Sequence, residues 1–260
     1  MKKLFLGIVV IFFLYSNILL ALELPKDVVS GNKYEKSLTG SYYKKYGMQV
    51  VSKKKRHPVR SGKQSIRFEV REGDCGKDKS PGTWDDCKNN RYRHELMGKP
   101  FKGKAWYAYS IYIPEDFTVK VHPVKQYLGQ FHQINSWPTL MFRFGSRGYY
   151  AIRQWDGSMV DRTKLLGVNE MLGKWNDILI HINSTSKDNG FYKVWVNGKL
   201  KYDYKGKTTE GNKSYFKFGI YQTRVDRWNT TSMGEYPTEV VYYDEVRAGK
   251  KKEDVIKNLK

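Results

Sequence analysis

At 260 residues the chain suits one all-β domain, and aromatic side chains at 15%, with 20 Tyr and 7 Trp, favour strands over helices. Lys and Arg number 47 against 26 Asp and Glu, a formal charge of +21, which implies attraction to a polyanion or a solvated cationic surface. No helix-turn-helix pattern, zinc-finger spacing or RNP-type aromatic segment offers a way to read bases, which argues against nucleic acid, and two cysteines without a CxxC argue against a thiolate metal site.

Lys2 and Lys3 precede an apolar run from Leu4 to about Leu14, and hydrophobicity returns from Ile18 to Leu22. This reads as a secretory signal over residues 1–22, giving a secreted or periplasmic protein; left uncleaved, the segment would serve as a membrane anchor. Residues 23–260 then form a single domain, with its core at about 62–249. Glu23 to Gly62 is a Lys- and Tyr-rich lead-in with an edge strand near Met48 to Ser52.

Ser65 to Glu72 alternates as a strand, and Gly73 to Asn90 is a loop that Cys75 and Cys87 are expected to staple in an oxidising compartment. Asp74, Asp78, Asp85 and Asp86 in and beside that loop match no EF-hand spacing and read as a solvated acidic loop, so no metal and no required cofactor is expected. Strands follow at Arg91–Leu96, Ala105–Ile113, Tyr127–Ile134, Thr139–Phe144, Gly148–Gln154, Asp177–Asn183, Tyr192–Val196, Tyr215–Tyr221 and Glu239–Arg247. Asn197-Gly198, between KVWV and KLKYDY, is a hairpin signal, and so many strands separated by turns imply two packed sheets.

Three strands carry polar residues that alternation gathers on one face. In YFKFGIY, Tyr215, Lys217, Gly219 and Tyr221 lie opposite Phe216, Phe218 and Ile220, and the glycine reads as a place where a ligand can approach the backbone. In GQFHQI, Gln130 and His132 oppose Phe131. In NRYRHEL, Arg91, Arg93 and Glu95 oppose Tyr92, His94 and Leu96. Taken singly, His132 reads equally as a surface histidine, and Arg93 with Glu95 as a surface ion pair of little worth.

The order RxEL (Arg93 to Leu96), QxH (Gln130 to His132) and YFKxGxY (Tyr215 to Tyr221) resembles that of polysaccharide lyases of the β-jelly-roll group: glucuronan lyases, heparin lyase I and, more distantly, alginate lyases. The resemblance spans roughly Gly62 to Gly249 and implies a sandwich of two antiparallel sheets with a concave groove for an acidic, uronate-containing polysaccharide. A monomer is expected.

The residue types suit that chemistry. Elimination at a uronic acid needs its carboxylate neutralised, the adjacent proton removed and the leaving oxygen protonated. Gln130 and Arg93 can donate to a carboxylate, His132 titrates near neutrality and suits a base, and Tyr221 suits the acid. The resemblance also allows Tyr221 as base for one stereochemistry, with Lys217 near it to favour the phenolate. Lys217, Arg143 and Tyr215 are expected to bind flanking acidic sugars; Arg153, Trp155, Trp84 and Trp137 are weaker candidates. Two other functions compete: a glycoside hydrolase, for which no suitably spaced carboxylate pair is found, and a binding module, which needs no acid or base.

Overall fold

The computed structural model describes residues 23–38, 44–77, 84–118 and 123–259, so the export segment expected over residues 1–22 lies outside the described residues. In chain order the strands are β1 (Val29–Ser30), β2 (Tyr34–Lys36), β3 (Met48–Ser52), β4 (Gln64–Val70), β5 (Arg91–Gly98), β6 (Gly103–Tyr112), β7 (Lys125–Gln133) and β8 (Pro138–Gly145). There follow β9 (Gly148–Trp155), β10 (Ser158–Leu166), β11 (Trp175–Ser184), β12 (Phe191–Val196), β13 (Lys199–Lys205), β14 (Ser214–Thr223) and β15 (Glu239–Gly249). The front sheet runs β10-β9-β8-β7-β14-β5-β2 and the back sheet β13-β12-β11-β6-β15-β4-β3, with β1 beside β15. Every pairing within the sheets is antiparallel except β1 with β15.

Period-2 alternation decides what faces inward. Phe216, Phe218 and Ile220 of β14, Phe131 of β7 and Phe142 of β8 meet Phe68, Tyr109, Ile180 and Tyr243 of the back sheet in one apolar core. Ring edges pack on ring faces there: Phe218 lies 5.7 Å from Phe68, and Phe68 5.5 Å from Tyr243, both nearly perpendicular. Buried phenols need partners. The Tyr109 and Tyr149 hydroxyls meet at 2.9 Å, and the Tyr243 hydroxyl crosses the sandwich to donate to the carbonyls of Leu128 and Gly219.

Those two carbonyls sit where the front sheet is irregular. Between Lys217 and Tyr221, β14 carries one residue more than β7; between Tyr127 and Gln130, β7 carries one more than β8. Such bulges re-aim side chains. Gly219 sits in the first at φ +131, and a Cβ there would come within 2.3 Å of the His94 carbonyl oxygen and 2.9 Å of the Glu95 Cα. The sequence reads this glycine as room for a ligand; the structure shows that the close approach is instead to the β5 backbone.

Three further differences from expectation have physical reasons. β10 escapes the alternation rule because its Met159 and Val160 are exposed and bulges interrupt its pairing with β9. The lead-in contributes β1 and β2 as well as the edge strand β3. The loop before β5 is not simply solvated: Asp74 and Asp86 are buried. Cys75 and Cys87 form a disulfide, Cα to Cα 4.9 Å, which folds that loop back on β5. The Asn197-Gly198 turn joins β12 to β13 with both residues at positive φ, 49° and 78°, as a tight hairpin requires.

Two outcomes follow for stability. Gly219→Ala should destabilise the fold by about 2 kcal/mol or more, since the positive φ and the clash add; chemical denaturation matching the wild type would remove the glycine from its place in the bulge. Opening the Cys75–Cys87 link by reduction or by a double Ser substitution should cost on the order of 3 kcal/mol, the loop-entropy scale for a closure of this size, and an unchanged denaturation midpoint would contradict it.

Candidate functional site

The outer face of the front sheet is a groove of about 680 Å³ whose floor is built by β5, β7 and β14. Arg91 and Arg93 reach it from β5, Lys125, Tyr127, Gln130 and His132 from β7, and Tyr215, Lys217, Tyr221 and Thr223 from β14. Cross-strand registry places Lys217 beside Gln130, Tyr215 beside His132, and Tyr221 between Arg93 and Tyr127. Trp137 lines one stretch of the rim and Trp84 another, and both are well exposed.

Below this floor lies Glu95, 0% exposed. Its carboxylate accepts from the Lys217 Nζ at 2.9 Å, the Gln130 Nε2 at 2.7 Å and the Arg93 Nη1 at 3.3 Å. Burial alone would push its pKa up; the Lys217 ammonium and Arg93 guanidinium outweigh that and hold it below the usual carboxylate range. Burial acts on Lys217 in the opposite sense and lowers its pKa.

Arg93 is fixed from a second side. Asp86, buried at the end of the disulfide loop, takes its Nε at 2.6 Å and Nη2 at 2.7 Å, a bidentate pair, and also accepts from the Trp84 indole at 2.6 Å. Of the five guanidinium donors three are thus engaged, and the plane lies 4.2 Å over the Tyr221 ring. Arg91 approaches the same ring at 5.9 Å. The cation expected beside Tyr221 was Lys217; the structure gives that place to Arg93, because Lys217 bends toward Glu95.

His132 stacks against Tyr215, ring centroids 5.3 Å apart. Its Nδ1 lies 2.7 Å from the Gln133 carbonyl oxygen, an acceptor only, so Nδ1 carries the proton and Nε2 holds the lone pair. Burial, followed by the charge of Lys217, pushes its pKa down to about 4, so the ring is neutral near pH 7. Tyr221 is shifted the other way: burial raises it to about 12 against the opposing pull of Arg93 and Arg91, so it keeps its proton. Tyr215 is raised to about 12, chiefly by burial.

The structure thus gathers Arg93, Gln130, His132, Tyr215, Lys217 and Tyr221 around one groove. Arg143 lines an adjoining cavity, beside Tyr127. Arg153 pairs with Asp161 at 2.6 Å and lies over the Tyr204 ring, away from the groove. Asp74 accepts from the Tyr46 hydroxyl at 2.7 Å and the Arg71 amide at 2.8 Å, while Asp85 accepts from the Cys87 and Lys88 amides. Asp78 lies outside the described residues. Among the described residues no group of three His, Cys, Asp or Glu side chains is placed to hold a metal ion.

Sequence reasoning passed over Glu95, Asp86, Tyr127 and Lys125. Glu95 was visible as a face-mate of Arg93, but alternation says nothing of whether that face is buried. Asp86 had no periodic signal at all. Tyr127, three residues from Gln130, reaches the groove only through the β7 bulge.

Residues 36–247 match the family model described as polysaccharide lyase. The chain belongs to the polysaccharide lyase family. Among solved structures, this lyase is similar to an endo-β-1,4-glucuronan lyase from the fungus Trichoderma reesei, at 17% identity and TM-score 0.56, covering 85% of this chain and 96% of that one. It is also similar to alginate lyase AlgAT5 of polysaccharide lyase family 7, at 19% identity and TM-score 0.53, covering 88% and 99% respectively. No curated protein matches the sequence. The two-sheet arrangement is therefore the jelly roll of these lyases.

The low pKa of His132 makes the stability of this lyase pH-dependent. Unfolded, the imidazole takes a proton near pH 6.5; folded, only near 4. Between those values the unfolded chain binds the extra proton, so this contribution is present above pH 6.5 and is lost as pH falls toward 4. His132→Gln should flatten the fall in melting temperature across that window, and wild-type and variant curves running parallel would show the ring to be freely solvated.

Proposed function

We propose that this polysaccharide lyase cleaves a uronate-containing polysaccharide by β-elimination, with His132 as base and Tyr221 as acid. The observation that carries the reading is the opposed protonation of these two groups in one groove: a neutral imidazole with its Nε2 lone pair unspent, and a phenol that keeps its proton. Environments that push two titratable groups apart define acid and base roles.

The uronate carboxylate would lie against the donors that Glu95 and Asp86 leave over: the second amide hydrogen of Gln130, the remaining guanidinium hydrogens of Arg93 and the ammonium of Lys217. His132 Nε2 removes the proton on the carbon next to that carboxylate. As the electron pair forms the C4=C5 double bond the C4–O bond breaks, and Tyr221 protonates the departing oxygen. Negative charge develops on the carboxylate in the transition state, where fixed donors in a partly dry site act most strongly. The phenolate left on Tyr221 is stabilised by Arg93 over its ring and Arg91 beside it. Lys217 and Tyr215 hold the sugar at the cut, and Arg143 a neighbour.

Among the described residues no Asp or Glu lines the groove, and the two carboxylates beneath it, Glu95 and Asp86, are consumed in ion pairs. A hydrolase would need two free carboxylates astride the bond. Action outside the cytoplasm is part of the same proposal, supported by the disulfide and by the export character of residues 1–22.

His132→Ala and Tyr221→Phe should each cut turnover on the responsive polyuronate by roughly a hundredfold or more, the scale of a lost acid or base, with circular dichroism unchanged. Ultraviolet absorbance of unsaturated ends over a panel of polyuronates provides the assay. Wild-type protein that binds the panel without producing such ends would sink the lyase chemistry, and a fully active Phe variant would exclude Tyr221 from it.

A further inference from the structure

Cations are distributed unevenly along the groove. At the end reached by Trp137 and Asn135, Glu210 braces the rim: it accepts from the Ser136 hydroxyl at 2.6 Å and from the Asp156 amide at 3.3 Å. At the other end stand Arg91, Lys125 and Arg224. Lys125 also lines a second cavity, of about 220 Å³, together with Arg143, Arg147 and Arg162. The groove therefore continues past Lys125 into a recess walled by four cations, and no Asp or Glu lines that recess among the described residues.

None of these four cations forms a salt bridge among the described residues. Burial lowers the pKa of Lys125, and the charges of Arg143, Arg224, Arg227 and Arg91 lower it further. Like charges gathered without counter-charges cost free energy in the empty protein, a cost that an anion would relieve. The recess is also braced. The two-residue turn Ser146-Arg147 joins β8 to β9, the Tyr150 hydroxyl donates to the Arg147 carbonyl at 3.0 Å, and Arg162 lies 5.1 Å over the Tyr150 ring.

We infer that this recess is an oxyanion subsite, formed by Lys125, Arg143, Arg147 and Arg162, that binds a charged substituent of the same polymer beyond the sugars held at His132 and Tyr221. The inference rests on the lyase reading for the identity of the polymer. The planar guanidinium forks suit either the carboxylate of a further uronate or a sulfate ester. The polymer is thereby anchored mainly on one side of the cut, with the cationic end holding charge and the Trp137 end offering an aromatic rim.

The test uses Arg147→Gln/Arg162→Gln, both exposed positions, in the full chain. On the long polymer that is cleaved and that carries the recognised group, KM should rise about tenfold, the scale of one lost charged hydrogen bond, with kcat kept. Oligosaccharides too short to reach the recess should show the wild-type KM. Electrophoresis through gels containing the polymer reads binding without turnover, and there the double variant should be retarded less and depend less on salt. A loss of retardation confined to sulfated polymers assigns the group to sulfate, and an equal loss on unsulfated ones assigns it to carboxylate. A variant with wild-type KM on long chains, wild-type retardation and an unchanged salt dependence would overturn the subsite. Absence of turnover on every polymer would overturn the lyase reading while the gel result still judged the recess.

Discussion

A carboxylate buried under the groove floor organises the rest of the site. Glu95 has no access to water, and Lys217, Gln130 and Arg93 all donate to it and sustain its charge. Removing any one partner would leave a buried charge partly uncompensated, a strong penalty in a low dielectric. The consequence for function is geometric. Each of the three donors belongs to a different strand, β14, β7 and β5, and each has donors left over once Glu95 is satisfied. One buried acid therefore aligns three groups toward the space above it, and its negative charge is spent before a negatively charged polymer arrives.

Two supports keep that alignment. From the side, the Cys75–Cys87 loop delivers Asp86 to the far edge of Arg93, so the guanidinium is held by carboxylates on two edges and its face rests on Tyr221. From below, the Tyr243 hydroxyl of the back sheet ties the two irregular stretches of β7 and β14 together through the Leu128 and Gly219 carbonyls. Bulges leave carbonyls without ladder partners, and a phenol reaching across an apolar core satisfies them without admitting water. The groove face of one sheet is in this sense held by a side chain of the other.

Protonation follows from the same architecture. His132 and Tyr221 are both desolvated, and desolvation disfavours the charged form of each, so it lowers the imidazole and raises the phenol. A single physical cause thus yields a neutral imidazole and a protonated phenol near neutrality, the states that the proposed base and acid require. The nearby cations add to the effect on the imidazole and oppose it on the phenol, which favours loss of the Tyr221 proton in the proposed acid step.

Much of this was legible in the residues alone. Alternation is a local property of an extended chain, so YFKFGIY, QFH and RYRHEL disclosed which side chains share a face, and Phe131, Phe216, Phe218 and Ile220 are indeed buried opposite their polar neighbours. The hairpin at Asn197-Gly198 was equally local, because it depends on two residues that tolerate positive φ. What depended on contacts between distant segments was not legible. Tyr127 reaches the groove through a bulge defined only by comparing two strands, Glu95 became a buried hub rather than a surface partner because β7 and β14 close over it, and Asp86 meets Arg93 because a disulfide folds an aperiodic loop back. Period and residue type determined which groups could do the chemistry; burial and cross-strand registry, which exist only once the two sheets pack, decided how they are charged and where they point.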